Sequence, residues 1–433
     1  MLTTIDLFDG GEWDSLPTQT NVTAFKEYLN EVWQDRPLLL REDDDEEARR
    51  NTAQRFFVFD GHKIRARNYT GFVQFENVRI NVYTRVFENQ QPFGPAQKTN
   101  AVNHLIKWLS YCNRIHFPFN ELQTSPNDFD DWLEAFIFLF ATYTSNALNA
   151  SPHFAYEEVT EEMSFVRGRI AMQPYIQHNL ATGKHHLLHC TYEPFIYDNL
   201  FNQIVKHTTK LLLQFTTENR NRDLLNDILF TLHDVSDVYC TPTDCDKVKI
   251  NRLYQETDSI RNMCRLFLQF QLTNSTNQQE NNLCLLLPME VIFEEYVAGF
   301  LYHHFPELKV KPQASGEFLA VNENGKKVFQ MRHDILIPGK LIIDTKYKFR
   351  QIMNDDKEGV SQHDLYQMVA YCYKRNCKEG LLLYPSFTKG INVNWTKLKV
   401  NEIIIEVASI DITEGELDYF EELQKVKFET LVP

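Results

Sequence analysis

The chain lacks the features that would place it in a membrane or among nucleotide-binding proteins. No hydrophobic run approaches the roughly 20 residues of a membrane helix, and the longest, Phe136 to Tyr143, lies inside an amphipathic stretch that starts near Asp131. Asp6, Asp9 and Glu12 interrupt the start of the chain, so no signal peptide is predicted there. No Gly-x-x-x-x-Gly-Lys-Ser/Thr segment occurs, which predicts that this chain does not bind and hydrolyse a nucleotide by itself.

Positive charge is also scarce. The sequence has 44 Lys and Arg against 59 Asp and Glu, a net charge of -15. Non-specific affinity for DNA depends on Lys and Arg that neutralise phosphates, so the chain is not expected to hold DNA unaided. Between residues 301 and 350 the balance reverses to nine basic against five acidic residues. Arg332, Lys348 and Arg350 are candidate phosphate contacts there, although charged strand edges also serve to prevent aggregation.

The cysteines do not form a zinc or disulfide pattern. Eight are spread along the chain, and the pairs Cys240 with Cys245 and Cys372 with Cys377 lack the partner spacing of a zinc site. Free thiols in a reducing compartment, hence a cytoplasmic protein, are predicted. There is no internal repeat or low-complexity tract, and the acidic run Glu42 to Glu47 is interpreted as a solvated loop.

The 433 residues predict a multidomain α+β protein. Residues 1–100 are predicted to form a β-rich N-terminal domain, residues 101–285 a mainly helical middle region, and residues 286–433 a C-terminal α/β domain with a mixed sheet flanked by helices. The predicted strands are Phe56 to Phe59, Lys63 to Arg65, Gly71 to Phe75, Arg79 to Phe87, Gly380 to Tyr384 and Glu402 to Ile412. The predicted helices are Val102 to Tyr111, Phe129 to Leu148, Tyr197 to Thr217 and Leu253 to Gln271, with a loop from Asn274 to Asn282.

The most informative segment runs from Arg332 to Lys346. Its two halves are apolar and rich in β-branched residues, and Pro338-Gly339 between them is a turn signal, so the segment is predicted to be a β-hairpin. A three-residue loop from Pro338 to Lys340 would pair Ile337 with Leu341. The same register then sets Asp334 opposite Asp344, with Cβ atoms about 5 Å apart.

Side-chain alternation collects Asp334, Asp344 and Lys346 on one face of this hairpin. Facing carboxylates repel each other, so the pair needs a cation, which is either the lysine or a metal ion. Two carboxylates suit a hard divalent cation such as Mg²⁺. The competing interpretation is a solvated sheet face with a salt bridge. The opposite, core-facing side would carry Met331, Ile335, Ile337, Leu341, Ile343 and Tyr347.

Two flanking helices are predicted to complete the site. From Pro288 onward, apolar residues recur at helical spacing, and Glu294 lies on the edge of that stripe. Glu294 could bring another carboxylate to the Asp pair, or it could be a solvated edge charge. In a later helix, Gln367 and Tyr371 lie four residues apart and share one face.

These residues resemble the PD-(D/E)xK nucleases, in particular the branch that ends in a Gln-x-x-x-Tyr helix. The acidic residue of the first helix would be Glu294, the first strand carboxylate Asp334, and the second strand motif Asp344 with Lys346, followed by Gln367 and Tyr371. His333 stands where that family usually has proline, a position that is expected to shape the turn. The resemblance implies that Asp334 and Asp344 bind Mg²⁺ or Mn²⁺ and that Lys346 orients or deprotonates water.

Other segments resemble the McrC family, the nuclease subunits of McrBC-type modification-dependent restriction systems. The N-terminal strands, the first helix of the C-terminal domain and the Gln-x-x-x-Tyr helix share this likeness, which covers roughly residues 55–385. The segments concerned are Arg67 to Phe75, Val78 to Tyr83, Val166 to Ile170, Cys190 to Glu193, Asp198 with Asn199 and Asn202, Phe293 to Val297 and Asp364 to Tyr371.

The McrC resemblance implies a Mg²⁺-dependent DNA endonuclease that works with a separate AAA+ GTPase ring of McrB type. In that family the ring hydrolyses GTP and recognises and translocates modified double-stranded DNA, while the McrC chain docks, stimulates hydrolysis and cuts. The N-terminal and middle regions would form the docking part. Two alternatives stay open: a stand-alone repair or recombination nuclease with the same core, and a non-catalytic assembly subunit.

Overall fold

The computed structural model describes residues 2–35, 53–88, 92–112, 129–156, 158–248, 255–271, 282–348, 350, 357–386 and 395–412. The acidic run at 42–47 and the predicted loop up to residue 281 lie outside these residues. The chain divides into two compact units: Met1–Ala135 with Thr273–Pro433, and Phe136–Leu272. The predicted domain boundaries near residues 100 and 285 stay predictions.

The secondary structure mixes strands and helices throughout. The strands are β1 Thr3–Phe8, β2 Asp14–Ser15, β3 Phe57–Asp60, β4 Lys63–Ala66, β5 Tyr69–Phe75, β6 Val78–Tyr83, β7 Ala155–Tyr156, β8 Val159–Met163, β9 Arg169–Ile170, β10 Leu188–Tyr192, β11 Phe195–Ile196, β12 Leu283–Pro288, β13 Lys311–Val321, β14 Lys327–Ile337, β15 Leu341–Thr345, β16 Glu379–Ser386, β17 Thr396–Val400 and β18 Ile403–Asp411. The longer helices are α1 Val22–Asp35, α2 Pro95–Ser110, α3 Trp132–Ala150, α4 Leu200–Phe215, α5 Asn219–Thr231, α6 Pro242–Lys247, α7 Gln255–Gln271, α8 Met289–His304 and α9 Gln362–Arg375.

In the first unit a four-stranded sheet has the order β1-β6-β5-β12. β12 pairs antiparallel with β5, with Leu285 opposite Phe72. A Cβ on Gly71 would lie 2.1 Å from Leu285 O, so only glycine permits this approach of the two strands. α1 packs Phe25 and Leu29 into the core cluster of this sheet. Because β12 leads directly into α8, the N-terminal sheet is joined to the C-terminal part of the same unit.

A six-stranded mixed sheet, also in the first unit, positions the candidate site. Its strand order is β13-β14-β15-β16-β18-β17. β13 pairs antiparallel with β14 and β14 antiparallel with β15, whereas β15 pairs parallel with β16 and β16 parallel with β18. Parallel neighbours require a crossover, and α9 lies in the connection between β15 and β16. The mixed sheet with helices agrees with the α/β prediction for this part of the chain.

The two faces of the six-stranded sheet are covered by different helices. Leu336 and Ile342 form a core cluster with Met368 of α9. On the other face, the ring of Tyr347 contacts Phe293 of α8, with centroids 6.0 Å apart. Helices therefore cover this sheet on both faces, as expected for a sheet that contains parallel strands.

The second unit combines helices with small sheets. Its strands form a three-stranded sheet of order β8-β10-β9 and the pair β11-β7, and its core includes Ile204, Leu212 and Phe267. Residues 155–196 contain these strands together with two short helical segments, Met172–Pro174 and Tyr175–Leu180, and the mainly helical character of residues 101–285 stays a prediction. These strands are two to five residues long, so their period-two pattern is too short to distinguish from loops.

Most of the other predicted elements have observed counterparts. The predicted strand Arg79 to Phe87 is too long, because β6 ends at Tyr83 and a 3₁₀ turn, Arg85–Phe87, follows. The predicted strand Glu402 to Ile412 corresponds to β18, and β17 was missed. A search of the described residues for a helix both long and apolar enough to cross a bilayer finds none.

Candidate functional site

The hairpin between β14 and β15 has the register that its sequence predicts. Ile337 pairs with Leu341, Leu336 with Ile342 and Ile335 with Ile343, so the loop consists of Pro338 to Lys340. Gly339 has a φ of +73°, which the tight turn requires and glycine adopts without strain. Continuing this register by one pair places Asp334 opposite Asp344.

The strand ladder stops at Ile335 and Ile343, one pair before the two carboxylates. Lys346 N donates to Leu383 O on the β16 side, and successive N–H groups along a strand point in opposite directions. The N–H of Thr345 therefore points toward β14. There Asp334 Oδ2 accepts it at 2.8 Å and accepts Thr345 Oγ1 at 3.0 Å. The side chain of Asp334 thus takes the place of a main-chain acceptor where the strands part.

Asp344 is a buried carboxyl, with 1% of its surface exposed. Burial raises its pKa to about 7, and the neighbouring charge of Asp334 adds to this rise, while Lys346 opposes it. Asp344 Oδ1 has no hydrogen-bond partner among the described residues. Burial of an ionised, partly unsatisfied carboxylate is costly, so this geometry favours a cation at Asp344.

Lys346 bridges the hairpin and α9. Its Nζ lies 2.8 Å from Asp344 Oδ2 and donates to Gln367 Oε1 at 3.3 Å. Burial acts against the charged form of this lysine, but the carboxylates, Asp344 foremost, outweigh burial and raise its pKa. Lys346 is therefore an ammonium group in this arrangement, a donor with no lone pair available.

Gln367 and Tyr371 present their polar groups from one face of α9. Gln367 Nε2 donates to Tyr371 OH at 2.7 Å, so a chain of hydrogen bonds runs from Lys346 through the amide to the phenol. Ser361 caps the helix by accepting the N–H of Asp364 at 3.2 Å. The predicted i, i+4 pair is thus brought to the Asp–Lys face of the hairpin.

His333 lies inside β14 rather than in a turn. It is fully buried, its Nδ1 lies 2.9 Å from Ala314 O, and its ring centroid lies 4.5 Å from that of Tyr371. Since a carbonyl oxygen only accepts, Nδ1 carries the proton, and burial lowers the pKa of the imidazole and keeps it neutral. His333 therefore packs beneath Tyr371.

The predicted alternation of β14 is wrong at Met331. Ile335, Ile337, Leu341, Ile343 and Tyr347 are buried as predicted, but Met331 clusters with Leu336 and the α9 residues instead of on the opposite face. His333 contacts Tyr371 of α9, and Leu336, three residues later, packs in the same α9 cluster. Residues an odd number apart on a regular strand lie on opposite faces, so the alternation of β14 is interrupted between them. A register shift between Ala314 and Glu317 of the paired strand accompanies this interruption.

Glu294 lies half-buried on α8. α8 covers the hairpin face opposite Lys346, as the contact of Phe293 with Tyr347 shows. The part of Glu294 in the site stays a prediction.

The three predicted phosphate contacts have different surroundings. Lys348 forms an ion pair with Asp364. Arg350 is 7% exposed and donates to Glu358 O at 2.7 Å, so its guanidinium serves the fold. Arg332 is half-buried on β14, two residues before Asp334. Their contact with DNA stays a prediction.

Asp364 is a further neighbour of the site that was not predicted from the sequence. Tyr384 OH donates to Asp364 Oδ2 at 3.2 Å. Burial opposes its ionisation, but hydrogen bonds from Lys348 and Ser361 outweigh burial and lower its pKa. Its charge also acts on both Asp344 and Lys346. In the sequence, Ser-x-x-Asp before an apolar helix has the form of a helix cap, and that pattern conceals the second role.

The residues present fit a hard divalent cation with few protein ligands. Within the part of the chain that the structure describes, no three His, Cys, Asp or Glu side chains are grouped around one potential metal position. Mg²⁺ is commonly held by one or two carboxylates, with water and phosphate completing the shell. The unpartnered oxygen of Asp344 is the observation that favours such an ion.

The second unit contains another candidate surface. Gly168, at φ +68°, lies so close to β10 that a Cβ would be 2.3 Å from Thr191 O. Arg167 stacks over the ring of Tyr192 at 4.0 Å, so the Arg-Gly-Arg and Cys-Thr-Tyr segments meet. Around them lie exposed apolar side chains, a composition typical of interaction sites. These are Phe165, Val166, Ile170, Met172, Ile176 and Leu180.

Comparisons with known proteins point to one family. The family model described as McrBC 5-methylcytosine restriction system component matches residues 64–385. A chain of the refined half-complex from a tetradecameric assembly of Thermococcus gammatolerans McrB AAA+ hexamers with bound McrC is similar at a TM-score of 0.75 and 17% identity, covering 99% of this chain and 100% of that one. A chain of the Thermococcus gammatolerans McrBC complex is similar at 0.51 and 19% identity, over 73% and 90% respectively. A comparison with curated proteins finds no match.

Proposed function

Because the chain belongs to the McrBC 5-methylcytosine restriction system component family, we propose that it is a metal-dependent DNA endonuclease subunit that docks on an AAA+ GTPase ring. One observation carries the nuclease part of the proposal. Lys346 Nζ lies 2.8 Å from Asp344 and 3.3 Å from Gln367, beside the strand end where Asp334 binds Thr345. This juxtaposition supports the proposal of a PD-(D/E)xK site of the Gln-x-x-x-Tyr type.

Asp334 and Asp344 would hold Mg²⁺ or Mn²⁺. A bound ion of this kind supplies a polarised water and neutralises charge on a phosphodiester. Asp344 contributes a buried carboxyl group. Because its pKa is raised to about 7, a bound cation would take the place of its proton near neutral pH. Asp334 is held in place by both polar groups of Thr345. Glu294 is the remaining carboxylate proposed for the site.

Lys346 would stabilise the charge that grows on the non-bridging phosphate oxygens. Its ammonium form suits this role, because an ammonium cannot accept a proton from water. Of the two roles that the family resemblance offers, deprotonation of water and charge stabilisation, the geometry supports the second. Gln367 fixes the ammonium, and Tyr371 in turn fixes Gln367.

The partner proposed for this chain is a ring of McrB type. McrB AAA+ hexamers with bound McrC are what the similar Thermococcus gammatolerans structure contains. This chain has no phosphate-binding Gly-rich loop of its own and an acidic net charge of -15, so a separate GTPase would provide both energy and most of the DNA affinity. The substrate proposed is modified double-stranded DNA. The exposed apolar surface around Gly168 is the docking region that we propose.

DNA cleavage in Mg²⁺, measured with and without a co-expressed ring GTPase, tests the proposal. Cutting that requires both proteins and GTP is the expected result. Equal cutting by the isolated chain would instead identify a stand-alone nuclease. Stimulation of the ring's GTPase without cutting under any metal condition would identify a non-catalytic assembly subunit.

A further inference from the structure

The β13–β14 hairpin extends beyond the six-stranded sheet as a two-stranded ribbon. β13 is the edge strand, and it pairs with β14 from Lys311 opposite Leu336 to Val321 opposite Lys327. β15 pairs only with the last three residues of β14, Ile335 to Ile337. Residues 315–330 are all half-buried or exposed. The end of this ribbon, residues 321–327, is therefore exposed to solvent.

The ribbon is basic in an acidic chain. Residues 309–332 contain five basic residues against two acidic ones, a balance of +3, whereas the whole chain carries -15. One of the two acidic residues, Glu317, is engaged by Arg375 at 3.3 Å. Lys326 and Lys327 lie at the tip, fully exposed, and within the described residues neither has a carboxylate partner. The basic residues are Lys309, Lys311, Lys326, Lys327 and Arg332.

Apolar side chains accompany this charge without being covered. Phe329 is 74% exposed and Val321 61% exposed. Phe329 also has a φ of +58°, a left-handed conformation that costs energy for a bulky residue. No core contact accounts for an exposed ring in such a conformation. A two-stranded ribbon with these side chains in water is only marginally stable, so a binding partner would contribute to its stability.

We propose that this ribbon enters the major groove of the DNA substrate and guides the scissile phosphate to Asp334 and Asp344. The inference rests on the proposed nuclease function. A two-stranded β-ribbon fits the major groove, which is about 12 Å wide, and apolar side chains there contact thymine methyl groups. Asp334 lies on the same strand as the ribbon. It lies nine positions after Gly325 at the tip, about 30 Å at 3.3 Å per residue.

The lysines of the ribbon are better placed to contact phosphate than two of the residues predicted from the sequence. Lys348 is engaged by Asp364, and Arg350 is buried with bonds inside the fold. Lys326 and Lys327 have no such bonds, so they can neutralise phosphates at little cost. Because the strand is continuous from these lysines to Asp334, a duplex bound on the ribbon passes directly beside the candidate catalytic groups.

Salt-dependent binding of the full chain to duplex DNA tests the ribbon. With Ca²⁺ in place of Mg²⁺ to prevent cutting, fluorescence anisotropy at a series of salt concentrations gives the slope of log affinity against log salt. The double variant Lys326→Gln/Lys327→Gln should bind more weakly and reduce this slope by about 1.8, because each lost phosphate contact removes about 0.9. Phe329→Ser should weaken binding with the slope unchanged.

The matched control carries the same charge change at the other side of the sheet. Lys378→Gln/Lys399→Gln alters exposed lysines next to β16 and on β17 and should leave affinity and slope unchanged. Equal slopes for the ribbon variant and wild type overturn the inference, as does a ribbon variant that changes only self-association in sedimentation. Absence of DNA binding by wild type at low salt, both alone and together with the ring GTPase, also overturns it.

Cleavage in Mg²⁺ separates the two proposals. Wild-type chain that binds DNA through the ribbon but never cuts, with or without the ring, supports the ribbon and refutes the nuclease function. Wild-type chain that cuts while the Lys326→Gln/Lys327→Gln variant binds and cuts equally well refutes only the ribbon.

Discussion

Asp334 Oδ2 accepts the backbone N–H of Thr345 at 2.8 Å, so a side chain closes the hairpin next to Lys346. The consequence is that β14 and β15 part at the point where both carboxylates emerge. In a regular ladder a main-chain carbonyl would accept the N–H of Thr345, whereas here the carboxylate of Asp334 does so. The geometry of the site therefore depends on a residue that also serves as a candidate metal ligand.

Substitution at the hairpin should separate cutting from docking. Asp344→Ala and Lys346→Ala remove a buried carboxylate and the ammonium paired with it. We expect each to lower the DNA cleavage rate by at least about 100-fold, the scale of a lost acid–base or charge-stabilising group. Stimulation of the partner's GTPase should remain. Single-turnover cleavage and GTP hydrolysis by the same preparation measure both.

Lys399→Ala, an exposed lysine on β17, is the control for Lys346→Ala and should cut like wild type. If Asp344→Ala and Lys346→Ala lost GTPase stimulation together with cutting, the assignment of the two activities to different parts of the chain would be contradicted.

The raised pKa of Asp344 predicts a pH-dependent stability in metal-free buffer. Folding raises the pKa from 3.8 to about 7, so between these values the folded state binds more protons than the unfolded state. The free energy of unfolding should therefore fall as pH rises from about 4 to about 7. Asp344→Asn removes this fall and should be more stable than wild type at pH 8, by on the order of 1–3 kcal/mol.

Urea unfolding in EDTA at pH 5 and pH 8 measures this difference. Adding Mg²⁺ at pH 8 should stabilise wild type and leave Asp344→Asn unchanged, because only an ionised carboxylate binds the cation well. A variant less stable than wild type at pH 8 in EDTA would contradict the raised pKa.

Gln367 should matter through its bridge to Lys346. Gln367→Ala breaks the bonds to Lys346 Nζ and to Tyr371 OH, which frees the ammonium to move. We expect cleavage to slow by about 10-fold, one lost positioning hydrogen bond, with little change in KM for DNA. Gln362→Ala on the same helix is the control, since Gln362 contacts only the exposed Tyr366 among the hydrogen bonds described. Equal effects of both variants would mean that the helix, not the bridge, was disturbed.

The parts of the site that sequence predicted are those set by local rules. The loop Pro338 to Lys340 and strand alternation determine the register of the hairpin, and the i, i+4 spacing brings Gln367 and Tyr371 together. The parting of the strands at Asp334 depends on a side chain replacing a main-chain acceptor. The periodicity of the sequence does not reveal that a side chain takes over the role of a main-chain acceptor.

The features that sequence missed depend on contacts between distant segments. β12 completes the N-terminal sheet by pairing with β5, about 210 residues earlier, Leu283 opposite Gln74. Its apolar run alone does not identify the partner strand. Asp364 contacts Lys348, which follows β15, and Tyr384 on β16. Such pairings follow from tertiary packing, which overrides local propensity.

Docking should depend on a glycine far from the hairpin in sequence. Gly168 combines a φ of +68° with a position where a Cβ would lie 2.3 Å from Thr191 O. Gly168→Ala must therefore push β10 away from the Arg-Gly-Arg segment as well as adopt a strained backbone. We expect weaker binding to the ring and reduced GTPase stimulation, because the exposed apolar surface around it loses its shape.

Gly183 provides the matched comparison within the same unit. It has a φ of +78° but no atom within 4 Å of its Cβ position, so Gly183→Ala introduces the backbone strain, about 1–2 kcal/mol, without the collision. A ring pull-down together with GTP hydrolysis should separate the two variants, with Gly183→Ala close to wild type. Comparable losses in both would show that backbone strain alone impairs docking, and unimpaired docking of Gly168→Ala would remove this surface as the contact with the ring.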